Sequence, residues 1–468
     1  MDSTSQLVII GGGLAGFSAA LEAAEAGADA VLLEKQPDTG GSSAMSGGCL
    51  AFAGTDLQRE QGIEDSDELL FRDLREVGQL ENDEALVRAY VREQLPTYEW
   101  LRKHGIAFSP VVEASSGQSV PRVHTVDPAD MVRGLAAHSR ASGKVRVVTS
   151  ARAERLLRNE RTGRVEAVLA EKDGTRFKAS ASEGIILASG GFCRNRELVH
   201  RFVPEYDNAV FVGGEGNVGD GLRMAWRLGA DFRDMAYIKG TYGKHPVDTA
   251  NNHSCLAVYK GAIAVNQDGK RYVDESISYK LLGDACMRQT YSSTYQILDQ
   301  DIFESGDNRV RILDFERRLE EGLFIQAPTL EKLAQLIEVP DAVLLDTVAR
   351  YNEFVSSGYD ADFGRKHLVH NHGQLRRIER APFYAYPSTA AVFGTYCGLC
   401  VDAAMRVLDV FGERIEGLFA AGEVVGGLHG AAYMTGSALA KAAIFGRIAT
   451  RSALARGEAS AAAGTSGR

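Results

Sequence analysis

The chain has 468 residues, enough for two or three domains around buried cores. A formal charge of −10 and the lack of any basic cluster argue against a nucleic-acid partner, and no window approaches the uninterrupted apolar length of a membrane span. Six cysteines scattered along the chain do not read as a disulfide framework, and with no basic, apolar leader in view the expectation is a cytoplasmic protein.

The first element is an apolar strand, Leu7-Val8-Ile9-Ile10, that runs into Gly11-Gly12-Gly13-Leu14-Ala15-Gly16 and a helical stretch. A second apolar strand, Val31-Leu32-Leu33, ends in Glu34 and Lys35. Strand, G-x-G-x-x-G, helix, strand and acid in that order predict a dinucleotide grip. Gly11 permits the turn, Gly13 lets a phosphate approach, and Gly16 lets the helix pack on the strand. The pyrophosphate then faces the helix start at Leu14 and Ala15, and Glu34 accepts hydrogen bonds from ribose hydroxyls. This motif alone does not separate FAD from NAD. The small-residue run that follows, with Gly41, Ser42, Ser43, Ser46, Gly47 and Gly48, does, because it can lie against a flat ring system; it points to FAD.

Helical patterns follow at 67–77 and 82–103, then a polar passage that leads into Arg122 and His124. Strand-like segments at 145–149, 164–171 and 176–181, with an Asp173-Gly174 turn between the last two, predict a small antiparallel insert. A strand at 184–187 ends in Ala188-Ser189-Gly190-Gly191, and the glycine turn at 216–221, which contains Asp220, opens another helix. Each of these turns can bring backbone against the cofactor. Tyrosines accumulate from Tyr237 onward, beside a hairpin signal at 262–273 and helices at 330–337 and 341–356. The spacing Cys397-Gly398-Leu399-Cys400 has neither a second pair for zinc nor a thioredoxin-like setting, so no metal site is expected.

These patterns predict an α/β fold: a discontinuous Rossmann-like FAD-binding domain at 1–236 and 381–455, and an inserted α+β capping domain at 237–380. An Ala/Gly/Ser-rich tail at 456–468 is expected to be disordered.

With GKRYVDES at 269–276, and GLFAAGEVVGGLHG at 417–430 leading into GSALAKAAIFGR at 436–447, the chain resembles the fumarate reductase/succinate dehydrogenase flavoprotein superfamily over nearly its whole length. The resemblance implies a FAD domain capped by a mobile substrate domain, with the flavin between them. It implies that Glu423, beside Gly422, holds the ribityl or ribose side of FAD. It also implies that Ser437, Ala438 and Leu439 offer backbone amides at a helix start to the flavin's pyrimidine edge, where a helix N-terminus stabilises negative charge. The small-residue run has no histidine of the kind that attaches flavin covalently in succinate dehydrogenases, so FAD is expected to be bound without a covalent bond.

Departures from the fumarate reductase pattern bear on the substrate. Those enzymes carry an acid arginine shortly after a YVDES-like sequence and a second arginine in an HGANRLGG-like turn. This chain has Tyr279 and Tyr433 there, so a dicarboxylate would lose two bidentate guanidinium contacts. Tyrosines in both places look like the 3-ketosteroid Δ1-dehydrogenase branch, although the turn HGAAYMTGS keeps the fumarate reductase length. That likeness implies a desaturase of a cyclic ketone or oxo-acid, such as 4-oxocyclohexanecarboxylate or a 3-oxosteroid, with an unidentified electron acceptor. Tyr279 takes the α-proton, flavin N5 takes the β-hydride, and Tyr433 with a backbone amide near Gly436 forms an oxyanion hole; one such donor is worth about 3–4 kcal/mol. A tyrosinate near neutral pH needs a neighbouring cation, for which Arg122 and His124 are candidates; they are equally candidates for binding a substrate carboxylate. The alternative is a fumarate reductase-like enzyme acting on an unsaturated (di)carboxylic acid, although no haem-attachment motif or iron–sulfur cysteine set is present.

Overall fold

The computed structural model describes residues 2–247, 254–369 and 373–465. Ser3–Ile10 lies inside an eight-stranded sheet, flanked in parallel by Ala30–Leu33 and Thr175–Leu187, and Val145–Val148 extends the parallel set beyond Ala30–Leu33. Strands covered on both faces read as unbroken apolar runs, which is the pattern of Leu7–Ile10 and Ala30–Leu33. Arg414–Ala420 enters the same sheet parallel to Thr175–Leu187, with Leu418 opposite Ile185. The two ends of the chain therefore share one sheet.

The first helix, Leu14–Glu25, and the last, Ser437–Thr465, cross in tight contact: a methyl at Gly446 would meet the Ala15 carbonyl oxygen at 2.4 Å. That last helix is continuous through Thr465, across most of the stretch that composition assigns to a disordered tail. Alanine is the strongest helix former, so an Ala-rich run continues a helix that tertiary packing has already nucleated.

Around Asp173-Gly174 the expected hairpin forms from Val165–Lys172 and Thr175–Leu187, joined by Arg152–Arg158. Val145–Val148 is no part of it; its β-branched run suits the doubly covered parallel sheet instead.

A second sheet carries the order Val210–Phe211, Phe383–Thr395, Thr294–Leu298, Ile263–Val265, and Ile238–Lys244 and Ile325–Ala327 also pair with Phe383–Thr395. The spine of this sheet lies beyond the boundary expected at 380. The Asp268-Gly269 turn forms, yet Ile263–Val265 finds its long partner in Thr294–Leu298 rather than in the residues after the turn. Each sheet has its own apolar core.

Candidate active site

A cavity of about 1040 Å³ runs between the two sheets and is lined from both. Its first wall is the glycine grip. Gly11 has φ +113°, and a methyl there would sit 2.3 Å from the Ala188 carbonyl oxygen; one on Gly16 would sit 1.9 Å from the Gly11 carbonyl oxygen. Only hydrogen fits at either place. At Gly13 the nearest atom is Ser43 Oγ at 3.5 Å, so its backbone faces open space at the helix start, as a phosphate cradle requires. Leu14, Ala15, Gly41, Ser42, Ser43, Ser46, Gly47, Ala188, Gly190, Asp220, Gly422, Ala438 and Leu439 line the cavity as well.

Glu34 lines it too, with Oε2 accepting the Gly12 N–H at 2.7 Å and Oε1 the Gln36 N–H at 2.8 Å. A carboxylate has about four acceptor sites, so ribose hydroxyls have room beside these two. Lys35 is committed to Asp220 at 2.7 Å. Glu423 accepts from Asn217 Nδ2 at 2.8 Å and from the Thr395 N–H at 2.9 Å, which ties both halves of the chain together at the cavity wall. Gly16, Gly48, Gly191 and Ser437 do not face the cavity. Gly48 packs on Val126, and Gly191 packs on Thr395 and Glu423. Ser437 donates its hydroxyl to the Met434 carbonyl at 2.8 Å. Buried Lys441 also reaches the cavity wall, with Nζ donating to the Val425 carbonyl; burial pulls its ammonium down to about 8, against the attraction of Glu423 and Asp234.

The opposite wall is phenolic. Tyr279 opens the helix Tyr279–Met287, capped by Ser278. The loop before it is pinned by Glu275, a fully buried carboxylate gripped by Arg271 at 2.7 Å and Arg365 at 3.2 Å. Tyr433 stands in the turn before the last helix, and that turn is held from several sides: Gln118 Nε2 donates to the Thr435 carbonyl at 2.8 Å, and the Thr435 N–H donates to the Ser116 carbonyl at 3.0 Å. The rings of Tyr279 and Tyr433 lie 5.6 Å apart, and Tyr396 stacks on Tyr433 at 5.7 Å. Gly436, expected to aim its amide at a substrate oxygen, does not line the cavity. Its N–H donates to the Tyr433 hydroxyl oxygen at 3.1 Å, and a hydroxyl that accepts in this way becomes a stronger donor itself.

Neither cation proposed to activate Tyr279 reaches it. Arg122 is fully buried between Asp65, at 2.7 and 2.8 Å, and Asp73, at 2.6 Å. His124 sits among Phe52, Tyr98 and Phe108; its Nδ1 donates to the Arg122 carbonyl at 2.9 Å, so its Nε2 is the acceptor for Thr55 Oγ1 at 2.8 Å. Burial pulls the His124 imidazole down to about 4. Both residues are structural, and neither lines the cavity. Burial, reinforced by Tyr433, Tyr396, Tyr259 and Cys49, pushes the Tyr279 phenol well above its ordinary range, so it is protonated at neutral pH.

Sequence reading missed Tyr259, Tyr396, His429, Thr435 and Lys441 as cavity residues. Asn217 was legible only as part of its glycine turn, and Tyr396 adjoins Cys397, which drew attention to redox spacing instead.

Residues 6–439 match the family described as FAD binding domain. The chain belongs to this family. The cytochrome-type fumarate reductase of Shewanella frigidimarina is 32% identical over 456 residues, covering 95% of this chain and 76% of that protein; urocanate reductase of Eggerthella lenta is 31% identical, covering 96% and 74%. Among solved structures, 3-ketosteroid-Δ4-(5α)-dehydrogenase from Rhodococcus jostii RHA1, in complex with 4-androstene-3,17-dione, superposes with a TM-score of 0.80 at 25% identity over 97% of each chain. The protein is thus an FAD-dependent oxidoreductase of the fumarate reductase/succinate dehydrogenase flavoprotein superfamily. Among the described residues no helix is long and apolar enough to cross a membrane.

Proposed function

We propose that this flavoprotein desaturates a cyclic ketone, placing a C=C bond α,β to the carbonyl. The observation that supports this reading is the pair of neighbouring phenols, Tyr279 and Tyr433, on the cavity wall where the resembling fumarate reductases carry arginines. The only arginine lining the cavity among the described residues is the exposed Arg376. Tyr433, strengthened as a donor by Gly436, hydrogen-bonds the ketone oxygen as charge grows there. Tyr279 receives the α-proton in the small fraction of molecules whose phenol is ionised. FAD, when bound, supplies the two-electron acceptor for the hydrogen leaving the β-carbon, and a separate acceptor of unidentified chemistry reoxidises the protein. The absence of histidine from the small-residue run at 40–48 supports a cofactor held without a covalent bond.

A second reading, reduction of a C=C bond conjugated to a carbonyl or carboxyl group, is favoured by one observation of its own: a phenol kept protonated is ready to give a proton rather than take one. The reductases of fumarate and urocanate among its relatives run in that direction. Anaerobic mixing of the FAD-loaded protein with cyclohexanone, 4-oxocyclohexanecarboxylate, 3-oxosteroids and succinate separates the two. Bleaching of the flavin band by a ketone supports desaturation. Bleaching by saturated dicarboxylates alone overturns it.

A further inference from the structure

Two buried hydroxyls on the cavity wall have no hydrogen-bond partner: Tyr396 Oη, on a residue 1% exposed, and Thr435 Oγ1, on a residue 9% exposed. Both flank Tyr433, Tyr396 by ring stacking at 5.7 Å and interplanar 13°, Thr435 by lying two positions on in the same turn. The backbone of one and the ring of the other are held in place by their neighbours. The Thr435 backbone is fixed at its N–H by the Ser116 carbonyl and at its carbonyl by Gln118. The Tyr396 ring packs against both Tyr433 and His429, the latter 5.1 Å away, in a cluster of three mutually touching rings. Buried polar groups in folded proteins are almost always paired, so two exceptions on one cavity wall, both next to Tyr433, mark where a ligand's polar atom belongs.

We infer that Tyr396 and Thr435 form a second polar subsite, which takes an uncharged oxygen of the substrate, a hydroxyl or a second carbonyl, distinct from the ketone oxygen. This inference rests on the reading of Tyr433 as the ketone's partner. The neutral class follows from the surroundings. The groups acting electrostatically on Tyr396 are Tyr433, Asp284, Tyr206 and Tyr259. Asp284 is already held by Lys280 and by the Tyr206 hydroxyl, so that cation is spent. Of the cations that line the cavity, Lys35 is held by Asp220 and Lys441 donates to the Val425 carbonyl, and neither Lys260 nor the exposed Arg376 is among the leading charges on Tyr396. His429 approaches Ser437 Oγ through Nδ1 at 3.4 Å. A carboxylate placed against Tyr396 and Thr435 would be desolvated without a permanent counter-charge.

The test uses the FAD-loaded protein and calorimetric titration with trans-1,4-cyclohexanediol, cyclohexanol and 4-hydroxycyclohexanecarboxylate, none of which carries a ketone. The diol is expected to bind about tenfold more tightly than cyclohexanol, one net hydrogen bond's worth. That preference is expected to fall below about threefold in both Tyr396→Phe, which keeps the stacked ring, and Thr435→Val, which keeps the shape, while cyclohexanol binding stays within about twofold. A diol preference that survives both substitutions, no preference in the parent protein, or tighter binding of the carboxylate than of the diol overturns the subsite. Because nothing in this titration is oxidised, it reads the subsite independently of whether any ketone bleaches the flavin.

Discussion

Replacing Tyr433 with Phe removes one oxygen and separates two consequences. The ring contacts with Tyr279, Tyr396 and His429 remain, because Phe keeps the ring. The donor to the ketone oxygen is lost, a change expected to cost about 3–4 kcal/mol of barrier, or 10²–10³ in kcat. The Gly436 N–H, 3.1 Å from the hydroxyl, also loses its acceptor. Gly436 has little room to turn toward another: a methyl there would meet the Ala51 nitrogen at 2.7 Å, and its carbonyl already accepts the Ala51 N–H. An orphaned buried N–H costs about 1–3 kcal/mol of stability. Anaerobic stopped-flow bleaching of the flavin by a ketone substrate reads the first effect, and urea denaturation reads the second. If Tyr433→Phe binds FAD fully and keeps kcat within about threefold of the parent, Tyr433 is not the ketone's partner, whatever happens to stability.

Because burial and neighbouring phenols raise Tyr279, ketone oxidation draws on a small ionised fraction, and its rate is expected to climb with pH from about 6 to 9 while C=C reduction stays flat. Tyr279→Phe is expected to abolish that slope and lower kcat by about 10²–10⁴ while the protein stays yellow; a flat oxidation profile in the parent excludes Tyr279 as the base. His124, at about 4 folded against an ordinary 6.5, binds fewer protons folded than unfolded between those values, so its stabilisation is complete above about pH 6.5 and is lost as pH falls toward 4. Going from pH 7 to 5 is expected to cost about 2 kcal/mol through this group alone, so His124→Asn should narrow the stability gap between those pH values by that amount in denaturant titrations. Arg122→Gln leaves Asp65 and Asp73 buried without their partner and is expected to cost about 3–5 kcal/mol in urea denaturation, with kcat per bound flavin unchanged.

The cofactor half of the site was readable because its determinants are local: turn, strand and helix start lie within one βαβ unit, and steric exclusion at Gly11 and Gly16 acts between near neighbours. On the phenolic wall only Tyr279 and Tyr433 were legible as cavity residues, because a motif marks each of them. Arg122 gave no sign in sequence of the acids that neutralise it, 57 and 49 positions upstream, and His124 gave none of the burial that keeps it uncharged. Tyr396 went unnoticed because nothing near it in sequence says that its hydroxyl lacks a partner. The boundary at 380 erred for a similar reason: Phe383–Thr395 precedes the segment that returns to the first sheet, and its allegiance to the second is set by four strands distant in sequence.

The sharing of one sheet by Ser3–Ile10 and Arg414–Ala420 ties cofactor capture to a contact of long sequence separation. Ser3–Ile10 and its glycine loop make one wall of the pocket, yet Gly422, Glu423 and the start of the last helix, which follow Arg414–Ala420, complete it. The pocket therefore closes only when these distant segments meet, so the vitamin-derived cofactor is captured by a chain that has already made its long-range contacts.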